Sequence, residues 1–311
     1  MNTRVFLNNL ILEIPLIKKL RYVFIIILGV CLLLLTYLWQ LPDGRYMTVQ
    51  FLDVGQGDSI FITAPNGKQV LIDGGPDDRV LLGLSKSMRL WDRSIDIVIP
   101  THPDKDHIAG LASVFRLYRV GTVIMGNVSS GTVFDEELQS AIDNEPRLRR
   151  ATAWRGERII LDHIRGVYID ILFPTSDTRT WDETNESSIV VRLVYGNRSF
   201  LLTGDLPSDA EDYLVYMASI DSANRIDSDV LKLGHHGSKT STSEKFLLAV
   251  TPSYSIVSAG KGNRYGHPDE SVIERVQNVN SNILSTIDHG TVTFTTDGDD
   301  LWITTEKEYK Q

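Results

Sequence analysis

Cysteine is nearly absent from these 311 residues: Cys31 is the only one, and it lies inside an uncharged run near the N-terminus. The rest of the chain therefore has no disulfide and no thiolate to offer a metal. Basic charge is also short. The formal net charge is −9, and from residue 46 onward 26 Lys and Arg face 38 Asp and Glu, about −12. A domain of that sign exerts no overall electrostatic pull on a nucleic acid. Pro/Gly/Ser-rich linkers and low-complexity tracts are missing too, so residues 46–311 read as a single domain. The 42% hydrophobic content is enough for a sizeable core and excludes global disorder.

What is present begins with that uncharged run, YVFIIILGVCLLLLTYLW, residues 22–39. Its eighteen positions approach the ~20 apolar residues that cross a bilayer. A buried core helix rarely stays uncharged so long, and a cleaved signal would need small residues where TYLWQLPDG stands. The expectation is an uncleaved, single-pass transmembrane anchor over 22–39. Arg4, Lys18, Lys19 and Arg21 precede it against Glu13 alone. By the positive-inside tendency this leaves residues 1–21 cytoplasmic and 46–311 beyond the cell membrane.

After the anchor, MTVQFLDVG, SIFITAP and KQVLIDGG read as strands, with a hairpin turn at Asn66-Gly67. IDIVIP is an apolar strand running into THPDKDH, and IAGLASVFRLY follows with helical spacing. GTVIMG is a further strand and FDEELQSAIDN an exposed helix. The second half repeats the grammar: SSIVVRLVYGNRSFLLTGD turns at Gly196-Asn197, and the helix SDAEDYLVYMAS follows. DVLKLG then runs into HHGSK, succeeded by the helix TSEKFLLAV, the strand YSIVSAG, the helix PDESVIERVQNV and a hairpin at Asp297-Gly298. Strands followed by helices, twice over, predict an α/β fold of two facing sheets with helices outside and chemistry at strand ends.

Three such ends carry metal-ligating side chains: His102, Asp104, Asp106 and His107; Asp205 in FLLTGD; and His235 and His236 in LKLGHHGSK. Imidazole and carboxylate are the ligands left for a first-row metal once thiolate is gone. Each cluster alone has an ordinary reading, since an Asp after Thr-Gly commonly turns or caps the chain. Three of them, each after an apolar strand, point to one metal centre.

These residues carry a resemblance. HPDKDH is similar to the H-x-H-x-D-H signature of the metallo-β-lactamase superfamily. Within it, FLDVGQGDSIFI, LIDGG, THPDKDHIAGL, FLLTGD, LKLGHHGSKTST and YGHP together resemble the ComEC/Rec2 family, the hydrolase-like domain of a DNA-uptake channel. The resemblance spans roughly residues 48–305 and implies a four-layer αββα sandwich with two divalent metal ions at one edge of the sheets. It implies His102 and Asp104 on the first ion, Asp106, His107 and His235 on the second, Asp205 bridging both, and Asp73 behind the ligands. Two positions depart from the pattern: Asp104 replaces the signature's second histidine, and Asn185 stands near the place of a third-motif histidine. Oxygen-rich coordination favours Mn²⁺ or Mg²⁺ over Zn²⁺, so manganese is expected to serve at least as well as zinc, with the first site weakly filled.

Such a centre suits in-line attack at a phosphodiester. The expected activity is metal-dependent phosphodiester hydrolysis, with single-stranded DNA as the leading substrate. Asp106, His236 and Ser238 are the expected catalytic residues, the last two protonating the leaving group and holding the phosphate. Asn185, Lys232, Lys239 and His267 are expected to contact substrate, with Lys261 and Arg264 nearby. RLRRATAWRGER, residues 147–158, is either a strand-binding track or a solvated face. His163 and His289 read as ordinary loop or strand residues. The rival readings are a phosphodiesterase for envelope polymers of the choline phosphate ester type, and a non-catalytic DNA-binding or assembly module. The retained ligand set argues against the second, and Asp104 and Asn185 disfavour β-lactam hydrolysis. The family's channel helices have no counterpart after residue 39, so a separate channel protein is the expected partner for any DNA uptake. Oligomeric state is left open.

Overall fold

A computed structural model of the chain describes residues 16–39, 44–175 and 184–308. Residues 1–15 of the expected cytoplasmic segment, 40–43 at the exit of the apolar run, and 309–311 at the end of the expected domain lie outside the described residues. The chain divides into two compact units between Gly44 and Arg45. The first holds helix α1 (Leu16–Trp39), whose stretch Lys18–Thr36 has mean hydropathy 2.2 and is long and apolar enough to cross a membrane.

The second unit holds two sheets. One is eight-stranded: β1 (Met47–Phe51), β2 (Ile60–Thr63), β3 (Gln69–Ile72), β4 (Ser94–Ile99), β5 (Arg119–Met125) and β6 (Arg149–Thr152), joined by β14 (Val292–Thr296) and β15 (Leu301–Thr305). Its order is β15-β14-β1-β2-β3-β4-β5-β6, with β3 to β6 parallel. The other is seven-stranded: β7 (Arg158–Asp162), β8 (Val167–Phe173), β9 (Val190–Tyr195), β10 (Arg198–Leu202), β11 (Val230–Lys232), β12 (Tyr254–Val257) and β13 (Asn282–Ser285). These run in the order β13 to β7, with β10 to β13 parallel.

Three apolar layers hold the unit together. Between the sheets, Val49, Phe51, Ile62 and Ile72 of the first meet Ile169, Leu193, Phe200 and Ile256 of the second. Phe294 stands edge-on to Phe51 and Phe200, with centroids 6.0 and 5.8 Å away. Full burial of each such ring contributes roughly 1.5–3 kcal/mol. The outer face of the first sheet is covered by α2 (Arg79–Ser87), α3 (Lys105–Ile108), α4 (Leu111–Leu117) and α5 (Val133–Asp143). The outer face of the second carries α6 (Ser208–Ile220), α7 (Glu244–Val250) and α8 (Glu270–Asn278). Helix, sheet, sheet, helix is the αββα sandwich.

All three expected hairpins form. The expected continuous helix IAGLASVFRLY is instead interrupted at Gly110. There the backbone N–H is diverted to Gly75 O (3.0 Å), and a Cβ would strike the carbonyls of Gly74 and Asp77. The arginine-rich stretch supplies β6 and β7. Arg150 pairs with Asp143 and Arg158 with Asp170, which offsets two of its five arginine charges, and Arg155 donates to Asn224 Oδ1.

The carboxyl ends of the parallel strands carry the polar clusters: Asp73 after β3, Thr101 to Asp106 after β4, Asp205 after β10, His235 and His236 after β11, and Ser258 after β12.

Candidate metal centre

Four imidazoles converge on one carboxylate. Asp205, buried after β10, has His107 Nε2 3.3 Å from Oδ1, while Nε2 of His236, His235 and His102 lie 3.5, 3.7 and 3.9 Å from Oδ2. Asp106 Oδ2 is 3.2 Å from His236 Nε2, and Asp104 Oδ2 is 3.8 Å from His102 Nε2. The carboxylates thus mark two groups sharing Asp205, a deeper one of Asp106 with His236 and another of His102 with Asp104, while His107 faces Oδ1 and His235 faces Oδ2.

Local structure aims these groups. Asp106 and His107 occupy the first turn of α3, which the extended backbone at Asp104 starts immediately after the loop. His235 and His236 sit in a short 3-10 turn with φ of 48° and 56°, a left-handed conformation rare for non-glycine residues. That turn lets two adjacent side chains face the same carboxylate, which neither a helix nor a strand allows.

Each ring is held from behind through Nδ1. His107 donates to Asp73 Oδ2 (2.8 Å), His102 to Thr101 Oγ1 (3.0 Å) and His236 to Ser258 O (2.9 Å). Thr101 in turn donates its backbone N–H and its hydroxyl to the two oxygens of Asp73. His235 Nδ1 lies 3.5 Å from Thr240 Oγ1, which itself meets Ser238 Oγ at 3.0 Å. Fixing the proton on Nδ1 leaves the Nε2 lone pair pointing at Asp205, the arrangement typical of a metal-ligating histidine.

The charges agree with that reading. Burial disfavours protonation of His107 and His236, but neighbouring carboxylates outweigh it. Asp205 and Asp73 hold His107 well above its ordinary range, and Asp205 and Asp58 raise His236 to about 9. Burial, reinforced by the charge on His107, lowers His102 to about 3. Burial works against ionisation of Asp205 and Asp106 as well, and the imidazoles overcome it, holding both well below the usual carboxylate range. Nε2 of His102, His107 and His236 and Oδ1 of Asp205 are buried without a hydrogen-bond partner. Such orphaned atoms are costly unless an ion satisfies them, and the donor set suits a divalent metal.

The family model of the metallo-beta-lactamase superfamily matches residues 52–261. The chain belongs to that superfamily. Among curated relatives it is 29% identical over 290 residues to ComE operon protein 3 of Bacillus subtilis, covering 86% of this chain and 35% of that protein. It is 32% identical over 243 residues to competence protein ComA of Neisseria gonorrhoeae (78% and 31%) and 30% identical over 271 residues to recombination protein 2 of Haemophilus influenzae (85% and 31%). These are ComEC/Rec2-family competence proteins, and the chain spans about a third of their length. Among solved structures, the metallo-beta-lactamase fold protein YhfI from Bacillus subtilis is similar at TM-score 0.56 and 12% identity, over 81% of this chain and 100% of that one.

Within this metallo-β-lactamase centre, the structure brings His102, Asp104, Asp106, His107, Asp205 and His235 together. It also reorders the histidine pair. The expectation put His235 with Asp106 and His107 and reserved His236 for proton donation. His236 is instead the buried member beside Asp106, and His235, with its side chain 29% exposed, faces Asp205 Oδ2 and the His267 ring. With Nδ1 tied to Ser258 O and Nε2 turned inward, His236 is not placed to protonate a leaving group. Ser238 lies behind His235 rather than on an open face. Lys232, expected at the substrate, is fully buried: its Nζ is 2.7 Å from Asp58 Oδ2 and donates to Leu233 O (2.7 Å), so it has no face for a phosphate. Lys239 is exposed on the loop after Ser238. Asn185 opens a 3-10 turn with Oδ1 buried and unpartnered, and Ser188 Oγ on that segment accepts the Asp205 N–H at 3.2 Å. His267 is half-buried, its ring 5.6 Å from His235 and its Nδ1 without a partner.

Asp58 escaped the sequence reading. A ligand atom of Asp58 lies within 4.8 Å of one each from His107, Asp205 and His236. Its Oδ1, however, faces His236 Nδ1 at 3.3 Å, the side away from Asp205, and its Oδ2 is engaged by Lys232. Asp58 therefore supports the His236 ring. The Gly-Gln-Gly-Asp that follows β1 was the available signal.

Proposed function

We propose that this chain is a membrane-anchored, extracytoplasmic phosphodiesterase that uses two divalent ions to cleave single-stranded DNA. The observation that carries the reading is the Asp205 carboxylate with four imidazole Nε2 atoms between 3.3 and 3.9 Å from it. Asp106, His107 and His236 would hold one ion and His102, Asp104 and His235 the other, with Asp205 shared. When bound, the ions supply a nucleophile from water at neutral pH and offset negative charge on the phosphate.

The chain's own groups do the rest. Asp73, Thr101 and Ser258 hold Nδ1 of three histidines, so that each Nε2 is aimed inward and becomes the ligand atom once an ion displaces any proton it carries. Asp104 and His235 line the more accessible group, with side chains 37% and 29% exposed, so that position is the more weakly filled and the one substrate reaches first. Four imidazoles and three carboxylates make a mixed nitrogen and oxygen donor set that accepts Mn²⁺ as well as Zn²⁺. His267, its pKa lowered by burial, offers Nδ1 to a phosphate oxygen. DNA as substrate is supported by the competence and recombination roles named for the relatives. Arg4, Lys18, Lys19 and Arg21, which precede the uncharged run 22–39, support a cytoplasmic N-terminus.

The test is hydrolysis of end-labelled single-stranded DNA by the full chain in detergent, with Mn²⁺, Mg²⁺ or Zn²⁺. Cleavage with Mn²⁺ at least as fast as with Zn²⁺, and abolished by Asp106→Ala, is expected. A folded sample that cleaves with none of the three ions overturns the nuclease reading and turns the search to envelope phosphodiesters.

A further inference from the structure

Beside the metal centre lies an open cavity of about 430 Å³ whose lining includes Gln56, Arg79, Lys105, Asp106, Arg264 and Tyr265. Asp106 belongs both to this cavity and to the deeper ligand group, so the cavity opens directly onto the reacting position. A run of rings leads out from the ligands to its rim. His235 meets His267 nearly edge-on at 5.6 Å, His267 stacks on Tyr265 at 5.8 Å with planes 13° apart, and the Arg264 guanidinium lies 4.8 Å from the Tyr265 centroid. With both neighbours against it, Tyr265 is still 53% exposed. A large aromatic still half open beside a charged centre offers a surface for stacking.

The other lining groups fit a nucleotide. Lys105 and Arg264 contact aromatic rings, Phe134 and Tyr265, and among the described residues neither is in an ion pair, so both can take a phosphate. The Gln56 side chain is fixed through Oε1, which accepts the Gly260 N–H at 3.1 Å, while its buried Nε2 has no partner. A buried amide donor held in place and unsatisfied marks a position where a ligand acceptor belongs.

We propose that this cavity is the subsite for the nucleotide next to the scissile phosphate, with Tyr265 stacking on its base. The proposal rests on the phosphodiesterase reading and sharpens it. A base reaches Tyr265 only if it has left a duplex, so the cavity selects single strands, and because every base has a π-face it does so without regard to sequence. Lys105 and Arg264 hold the flanking backbone, which is how an acidic domain takes a polyanion locally.

The experiment is fluorescence anisotropy of a labelled, cleavage-resistant phosphorothioate oligothymidylate with the Mn²⁺-loaded full chain, beside an abasic oligomer of equal length. Base–aromatic stacking is worth about 1–3 kcal/mol, so Tyr265→Ala should weaken oligothymidylate binding by roughly 5- to 150-fold, with Tyr265→Phe within about twofold of the unmodified protein. The abasic oligomer should bind the unmodified protein and Tyr265→Ala alike. Equal oligothymidylate affinity in both proteins, an equal loss for both oligomers, or no binding of oligothymidylate to the unmodified protein overturns the proposal. Cleavage of ordinary DNA is a separate readout, so failure of the nuclease reading shows there and not in these affinities.

Discussion

Two of the imidazoles beside the ionised Asp205 carboxylate, His107 and His236, hold protons in the metal-free protein that a metal must displace. His236 has its pKa raised to about 9, so at pH 7 it is charged until an ion arrives. In the metal-free protein its pairing stabilises the fold fully below the ordinary value of 6.5 and is lost as pH rises through about 9. Metal uptake at pH 7 should therefore release protons, and affinity should climb with pH up to about 9. Calorimetry of Mn²⁺ binding in two buffers of different ionisation enthalpy checks this, and heats independent of buffer contradict it. Behind His107, Asp73→Asn removes the charge that fixes the ring, and a loss of about 10- to 100-fold in metal affinity is expected by competition with a chelating dye. Sequence pattern found the residue types here and misassigned two neighbours. His235 and His236 are adjacent, and only the left-handed turn at both decides which one faces Asp106; spacing alone carries no such information.

At the scale of elements, the site depends on how loops lock to one another. Asp58 N–H donates to Asp106 O (3.1 Å), coupling the segment after β1 to α3. Gly57, with φ of 140°, allows that approach, because a Cβ there would strike the Asp106 carbonyl. Gly57→Ala should cost about 1–3 kcal/mol in strain and lower metal occupancy with it; unchanged melting and full occupancy would show the contact to be slack. Lys232 on β11 is buried against Asp58, whose pKa is lowered by Lys232 and His236 against the opposing effect of burial. Removing the cation strands a buried carboxylate, so Lys232→Met should lose about 3–5 kcal/mol even without metal, where a phosphate-binding lysine would cost nothing. Thermal melting of the metal-free protein separates the two. Because Asp58 is held below its ordinary 3.8, this pairing stabilises above that value and is lost as pH falls through the lowered one. Most elements were legible, since alternation and Asn-Gly turns mark β2–β3 and the later hairpins. The edge strand β6 was hidden because arginines dominate it, whereas the apolar alternation of β8 was there to be read. Lys232 looked like a phosphate ligand because flanking charge is visible in a sequence and its burial against Asp58 is not.

On the scale of the whole molecule, the chain is two units with separate tasks. The first carries a helix apolar enough for a membrane, and the second is a superfamily sandwich whose overall charge is negative while its reactive edge gathers imidazoles. Full-length protein should sediment with membranes and resist extraction by salt, whereas residues 45–311 should remain in the supernatant; equal partitioning of both would remove the anchor from the account. The measurement that tests the centre most directly is the rate of single-stranded DNA cleavage as Mn²⁺ is titrated into metal-free full-length protein. The account expects no cleavage without metal and a rate that rises to saturation near two equivalents, with the second bound more weakly. Cleavage that persists without metal, or its absence at saturating Mn²⁺ in a folded sample, would contradict it.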